Sequence, residues 1–352
     1  MTTDVLIDHA ALRAYVAAIY RADGMAAGDA DIVADILVWA DLRGVESHGV
    51  ERVPRYINIV QRGEMHPGAS PVVEEIAGSA FRVDGRKSFG PVAMMRALEA
   101  AEPRARLNGI AMGIVANSAH TGAIGYYAEW AAKRNLAAII IAAGMPLMAW
   151  PGTKAPSVST SPIAIGVPGG PDGVLVFDMS TAIAASGRLR KATLDKKPIP
   201  EGWALDEHGN PATEPGKAVT SLPIGGAKGA GLSLMIELLT GVLGGTPIVG
   251  PMARPGAKRP HSANGMVILI DIAKFRPLSD FAADVDLVVD TIKALPRFAD
   301  AEPVRMPGER GNAELRRRMA EGVPLTRRLA ASLAKLGEER KIAVPEALTR
   351  AV

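Results

Sequence analysis

Ser47, His48 and Arg52 fall within six positions of one another in the segment DLRGVESHGVERVPRY, Asp41 to Tyr56. An imidazole titrates near neutrality and can give or take a proton, while a guanidinium offers a planar fork that accepts a carboxylate. Four positions apart at the start of an expected helix, His48 and Arg52 project from similar faces. Together they suit an oxo acid, whose oxygen lies next to its carboxyl group. The same residues also fit a plainer arrangement, a helix capped by Ser47 with a surface His–Arg pair. Hydrolysis by Ser47 with His48 as its base is disfavoured, since adjacent side chains rarely reach that geometry.

Three further segments carry chemistry-bearing residues. In IVANSAHTGAIGYYAEWA, Ile114 to Ala131, a strand runs into a loop with His120, Gly122 and Gly125 and then into a helix. The free N–H groups and dipole at such a helix start favour an anion such as a pyrophosphate, although glycines in a strand–loop–helix link also serve packing alone. In VLVFDMSTAIAASGRLRKA, Asp178 ends an apolar strand. A carboxylate there is costly unless paired, so Asp178 is a candidate to orient a histidine, with an ordinary helix cap as the alternative. In LPIGGAKGAGLSLMIELLTGVLGG, Lys228 sits in a glycine-rich loop where the backbone can approach a cofactor phosphate closely. The other histidines, His9, His66, His208 and His261, stand in polar or turn-like settings and are expected to face solvent.

The elements that must position these groups follow from periodicity. Apolar residues recur at helical spacing from His9 to Tyr20 and from Ile32 to Leu42, with Gly24 and Gly44 as stops, and a third helix is expected after Ser47. From Pro71 the chain turns to short β-branched runs, PVVEEI, AFRVDG, IAMGIVAN, LAAIIIAA, IAIGVP, VLVFDM and GMVILIDI. After Pro277 helices return, ending in the basic LRRRMAEG and LTRRLAASLAKLGEERK, which suit a solvated face or an oligomer contact. The simplest architecture is a helical domain built from residues 1–70 and 278–352 around an α/β domain at 71–277. No G-x-G-x-x-G follows a strand, and the nearest string, Gly226 to Gly231, has its glycine spacing reversed. Any dinucleotide is therefore held by a fold other than the usual doubly wound one.

Composition removes whole classes of function. Basic and acidic residues number 40 and 37, too even for a nucleic-acid footprint, so a small molecule is the expected partner. With no cysteine, disulfides, thiolate nucleophiles and Cys-based metal sites are excluded. Asp4, Asp8 and Arg13 interrupt the first apolar stretch, which reads as an amphipathic helix rather than a secretory signal, so a cytoplasmic location is expected. The run Leu136 to Ala143 is cut by Gly144 and Pro146, well short of a span, and no membrane association is expected.

In order and spacing, these segments resemble the NAD(P)-dependent malate/L-lactate dehydrogenase-like family, which includes sulfolactate and ureidoglycolate dehydrogenases, diketogulonate reductase and piperideine-2-carboxylate reductase. The likeness covers nearly the whole chain: SHGVER, STSPIAIGVP (Ser159 to Pro168), LVFDMST (Leu175 to Thr181), IPEGWALDEHGNPATEP (Ile199 to Pro215), LPIGGAKGAGLSLMIE (Leu222 to Glu237) and MPGER (Met306 to Arg310). The resemblance implies an α/β (α+β) fold with a non-Rossmann cofactor domain whose sheet is mixed and largely antiparallel, a homodimer, and NAD or NADP as cofactor. It implies hydride transfer between that cofactor and a small 2-oxo or 2-hydroxy acid, or else a cyclic imino acid or diketo sugar acid. His48 becomes the acid/base with Ser47 its relay neighbour, and His120 the competing acid/base. Arg52 becomes the carboxylate clamp, Thr160 a substrate neighbour and Asp178 the buried orienting acid. The cofactor would lie against His120, Thr121, Gly122, Ala123, Ile124, Asp178, Met179, Ser180, Lys228, Pro307, Gly308 and Glu309. The chain departs from the pattern at Ala142-Ala143-Gly144-Met145-Pro146 and at Thr160-Ser161-Pro162, where side-chain amides are replaced. No metal is implied; the competing set of ligands, His48, His120 and Asp178, has no H-x-x-x-H pair behind it. A binding protein that keeps the fold without turnover is the remaining alternative.

Overall fold

The computed structural model describes residues 5–184, 186–254 and 256–349; Asp4, read with the first helix, lies outside them. The chain opens with a short strand, β1 (Val5–Ile7), then α1 (His9–Ala22), α2 (Ala27–Leu42) and α3 (Arg52–Gln61). Asp8 caps α1, its Oδ1 accepting from Ala11 N at 2.9 Å, which satisfies one of the orphan donors of the first turn. Gly24 and Gly44 follow α1 and α2 at φ +89° and +72°, left-handed turns that stop the helices as expected.

The middle of the chain comprises β2 (Val72–Ala77), β3 (Ala80–Asp84), α4 (Gly90–Asn108), β4 (Ile110–Ser118), α5 (Gly125–Ala132), β5 (Leu136–Gly144), β6 (Met148–Ala149), β7 (Pro156–Val158), β8 (Pro162–Pro168) and β9 (Val174–Ser180). It continues through α6 (Ser186–Leu194), β10 (Ala204–Leu205), β11 (Thr220–Ser221), α7 (Ala227–Glu237), α8 (Val249–Met252) and β12 (Ala263–Asp271). The chain closes with α9 (Leu278–Ala294), α10 (Glu309–Glu321), β13 (Val323–Leu325), α11 (Arg327–Glu339) and α12 (Glu346–Thr349). All seven β-branched runs form strands.

Seven strands make the main sheet in the order β2-β3-β4-β12-β5-β8-β9. Every neighbouring pair is antiparallel except β3 and β4. The sheet is thus mixed and largely antiparallel, unlike the parallel sheet that carries the usual dinucleotide fingerprint. Its centre is apolar on both faces because α4 and α5 cover one side, burying Met94, Leu98 and Tyr127 against Val115 and Ile140. On the other side Ile236 of α7 packs on Ile114, Ile141 and Met266. A four-stranded sheet, β10-β11-β6-β7, adjoins this body.

A separate core gathers both ends of the chain. Leu12, Val16 and Tyr20 of α1, Leu37 of α2 and Tyr56 of α3 are buried with Val323, Leu333 and Leu348, while β1 pairs antiparallel with β13. Helix α9 adds no residue to this core. It lies on the β8–β9 turn, where Gly170 N donates to Asp286 Oδ1 at 2.7 Å. Among the described residues, no helix is long and apolar enough to cross a membrane.

Candidate active site

A cavity of about 780 Å³ opens between the terminal helices and the ends of β5 and β9. Its floor carries the SHGVER turn, whose shape is set from beneath. Asp41, at the end of α2, is 2% exposed and accepts from Val50 N at 2.7 Å. Gly49 lies so close that a Cβ there would meet Asp41 Oδ1 at 1.9 Å, so only glycine fits. Burial pushes the Asp41 carboxyl up to about 8. Arg318, one of the C-terminal basic residues expected on a solvated face or at an oligomer contact, is instead 6% exposed within the chain: its guanidinium donates to Asp41 O at 2.7 Å and to Glu46 at 2.6 Å. From above, Gly187 of α6 presses on the turn; a Cβ there would lie 2.1 Å from Ser47 Cβ.

The turn brings three expected groups to the cavity wall. Ser47 Oγ and His48 Nδ1 are 3.0 Å apart, and Arg52 Nε donates to Ser47 O at 2.6 Å, which fixes the guanidinium plane. His120 comes from the loop after β4 and stacks on His48, ring centroids 5.3 Å apart at 30°. Its Nδ1 lies 2.7 Å from the Tyr56 hydroxyl and 3.2 Å from Gly122 N. A backbone N–H can only donate, so Nδ1 is the acceptor and the neutral ring carries its proton on Nε2. Burial first, then Arg52, His48, His261 and Arg55, hold His120 well below the usual histidine range, and burial pushes the Tyr56 hydroxyl up to about 12. The two histidines are therefore differently placed: one is tied to a serine hydroxyl, the other is a neutral Nε2–H donor.

His261 corrects the expectation that it faces solvent. It lines the cavity, and its Nε2 accepts from His120 N at 3.1 Å; burial pushes it down to about 4. Its own N–H donates to Glu64 Oε2 at 2.7 Å, so Glu64 anchors the loop that delivers it. Its turn-like, partnerless sequence setting held no signal of this contact, which is made across 141 positions.

Asp178 also lines the cavity, but its partner is not a histidine. Its Oδ2 accepts from Gly125 N at 2.9 Å, and the absent Gly125 side chain makes that approach possible, since a Cβ would sit 2.8 Å from the same oxygen. Asp178 is exposed at the cavity wall and is not the buried acid expected; desolvation by the protein around the cavity pushes it up to about 6, against the pull of Gly125 N and of Arg43. Arg43 was not singled out from sequence. It is 7% exposed, pairs with Glu129 at 3.3 Å and donates to Gly308 O at 3.2 Å, tying α2 to α5 and to the MPGER turn.

A profile of the malate/L-lactate dehydrogenase family matches residues 7–334. The chain belongs to this family. It is 32% identical over 336 residues to malate/(S)-sulfolactate dehydrogenase of Methanothermus fervidus, covering 94% of this chain and 96% of that protein. It is 35% identical over 314 residues to (2R)-3-sulfolactate dehydrogenase (NADP(+)) of Chromohalobacter salexigens, covering 88% and 91%. Among solved structures, sulfolactate dehydrogenase from Methanocaldococcus jannaschii superposes with a TM-score of 0.86 at 30% identity, covering 96% and 98% of the two chains. The chain is accordingly an oxidoreductase of the malate/L-lactate dehydrogenase family.

Of the family positions carried over by motif, Thr121, Gly122, Ala123, Ile124, Thr160, Met179, Ser180, Pro307 and Gly308 line the same cavity. Lys228 and Glu309 do not. Lys228 is exposed in the first turn of α7, and Glu309 is held by Lys293 and by Met306 N, 3.1 Å from its Oε2. The two departures from the family pattern have different outcomes. Ala142, Ala143 and Gly144 line the cavity, and the Ser159 hydroxyl accepts from Gly144 N at 3.1 Å. Ser161, fully buried, instead faces α7, its Oγ 3.1 Å from Ser233 Oγ. Among the described residues, no cluster of three or more His, Asp or Glu is arranged to hold a metal ion.

Proposed function

We propose that this protein is an NAD(P)-dependent oxidoreductase that interconverts a small 2-oxo acid and its 2-hydroxy acid, with malate, lactate and sulfolactate as the substrate type. The observation that carries this reading is the convergence of Arg52, His48 and the Nε2–H of His120 on one cavity wall. Arg52, anchored through Nε, takes the substrate carboxylate. His48 gives its proton to the C2 oxygen during reduction and takes it back during oxidation, with Ser47 holding Nδ1. His120 donates a hydrogen bond to the charge developing on that oxygen, a preformed dipole that needs no reorganisation as the charge appears. Asp178 fixes the Gly125 turn rather than a histidine.

A nicotinamide dinucleotide suits the remaining walls, which supply the glycine-lined turn from Gly122 to Gly125, the strand end at Asp178 to Ser180, and Pro307 with Gly308. When bound, its nicotinamide supplies or accepts the hydride.

The protein acts, in this proposal, as a cytoplasmic homodimer. In support, α7 and the turn after it present Leu232, Met235, Leu239, Val242 and Leu243 to the outside, an apolar face larger than scattered surface residues would give. Light scattering of the purified protein should give twice the chain mass.

The activity is tested by following NADH and NADPH absorbance with 2-oxo acids, diketo sugar acids and cyclic imino acids, and NAD or NADP with 2-hydroxy acids. Oxidation of the reduced cofactor by linear 2-oxo acids is the expected result. Turnover confined to cyclic imines would move the substrate to a C=N bond, and silence despite cofactor binding would overturn the catalytic reading.

A further inference from the structure

A second cleft bears on which nicotinamide cofactor the protein uses. This cleft, about 740 Å³, adjoins the catalytic cavity, and Arg43 and Arg310 line both. A ligand too long for the first space therefore continues past these two arginines into the second. Hydride exchange fixes the nicotinamide end beside the histidines. The wall that leads away from them runs through Gly125 and Asp178 to Arg43 and Gly308, and Arg310 lines its far end, so an adenosine half laid along this wall would come to Arg310.

Most charges of this cleft already have partners. Arg316 pairs with Asp172 at 2.6 Å, Arg317 and Arg318 share Glu314, and Arg43 pairs with Glu129. Arg305 and Arg310 differ: among the described residues, neither side chain makes an ion pair or hydrogen bond, and both are exposed to the cleft. A dinucleotide without a 2′-phosphate calls for a carboxylate that can accept from the ribose hydroxyls. The three carboxylates that line the cleft are all committed: Glu309 to Lys293 and Met306 N, Asp172 to Arg316 and Asn312, and Glu314 to Arg317 and Arg318. The polar groups left over at this end are thus cationic forks, which match a phosphate ester and not a diol.

We propose that Arg310, assisted by Arg305, binds the 2′-phosphate of the cofactor, so that the protein discriminates in favour of NADP(H) over NAD(H). The assignment rests on the nicotinamide-dependent reading of the site. It differs from recognition of the pyrophosphate, which both cofactors share and which would confer no preference.

The test is calorimetric binding of 2′,5′-ADP and of 5′-AMP, which differ only in the 2′-phosphate, to the intact protein and to Arg310→Ala and Arg305→Ala, alongside kcat/KM for NADPH and NADH. The intact protein should bind 2′,5′-ADP about tenfold or more tightly than 5′-AMP, the scale of a charge-assisted phosphate contact. Arg310→Ala should collapse that gap and lower kcat/KM for NADPH far more than for NADH, with Arg305→Ala intermediate. Both side chains are exposed, and an unchanged melting temperature would confirm that the variants fold. Equal binding of the two nucleotides, or a loss in Arg310→Ala that is the same for both cofactors, would overturn the assignment while NADH turnover kept the catalytic reading standing. Failure of every nucleotide, NADH and NADPH included, to bind would remove both.

Discussion

The Tyr56 hydroxyl sits 2.7 Å from His120 Nδ1, on the side of the ring away from the nitrogen that carries the proton. Tyr56 is 1% exposed and its hydroxyl does not ionise in the working range, since burial pushes it up to about 12. It therefore acts as a permanent donor that, with Gly122 N, keeps His120 in one tautomer. Tyr56→Phe removes this donor and keeps the ring that packs on Phe89. The expected result is a kcat lowered about ten- to a hundredfold, the usual scale for losing the partner that orients a functional histidine, with KM for the cofactor unmoved. An unchanged kcat would reduce Tyr56 to packing.

The two histidines separate by pH profile. Because burial and the surrounding cations keep His120 neutral, it contributes no titration to activity near neutrality. In the proposed roles His48 supplies the proton in reduction and takes it back in oxidation, so any pH limb of the chemical step should follow His48. His48→Gln should lose about 10²- to 10⁴-fold in kcat and flatten the profile, whereas His120→Gln lowers kcat but keeps the limbs. The reverse pattern would exchange the two roles.

Local signals in the sequence were strong wherever an element or motif is continuous. The SHGVER turn, the strand that carries Asp178, which runs on to Ser180, and the His120 loop each reach the cavity from the segments their patterns suggest. Contacts made across long sequence separations left no such trace. His261 meets His120 from a turn-like segment, Arg318 crosses 277 positions to reach Asp41, and Arg43 joins α2 to Gly308. Asp178 illustrates a subtler failure: the cost of a carboxylate at a strand end correctly demands a partner, but a backbone N–H satisfies it as well as a histidine does.

Arg52 is expected to act through geometry as much as charge. Its Nε is occupied by Ser47 O, so the fork is aimed by the same turn that carries His48. Arg52→Lys keeps the charge and loses the plane, and should still cost at least about tenfold in kcat/KM for a 2-oxo acid; Arg52→Ala should cost more, through both KM and kcat. Near-normal efficiency of the alanine variant would show that the substrate carboxylate binds elsewhere.

Asp41 offers a test of the turn through stability rather than rate. Its carboxyl is buried and titrates at about 8 in the fold, against about 4 in an unfolded chain. Between those values the folded state holds a proton that the unfolded state has lost, so this group's contribution to stability is fully present below pH about 4 and drains away as pH rises towards 8. Asparagine preserves the shape, accepts from Val50 N and cannot ionise. The melting temperature of Asp41→Asn, measured against the parent from pH 4 to pH 9, should therefore gain on it steadily with rising pH and level off above about 8. A difference that shrinks with rising pH would mean that Asp41 is ionised in the fold and held by the Arg318 charge, with the SHGVER turn resting on an ion pair in place of a neutral acid.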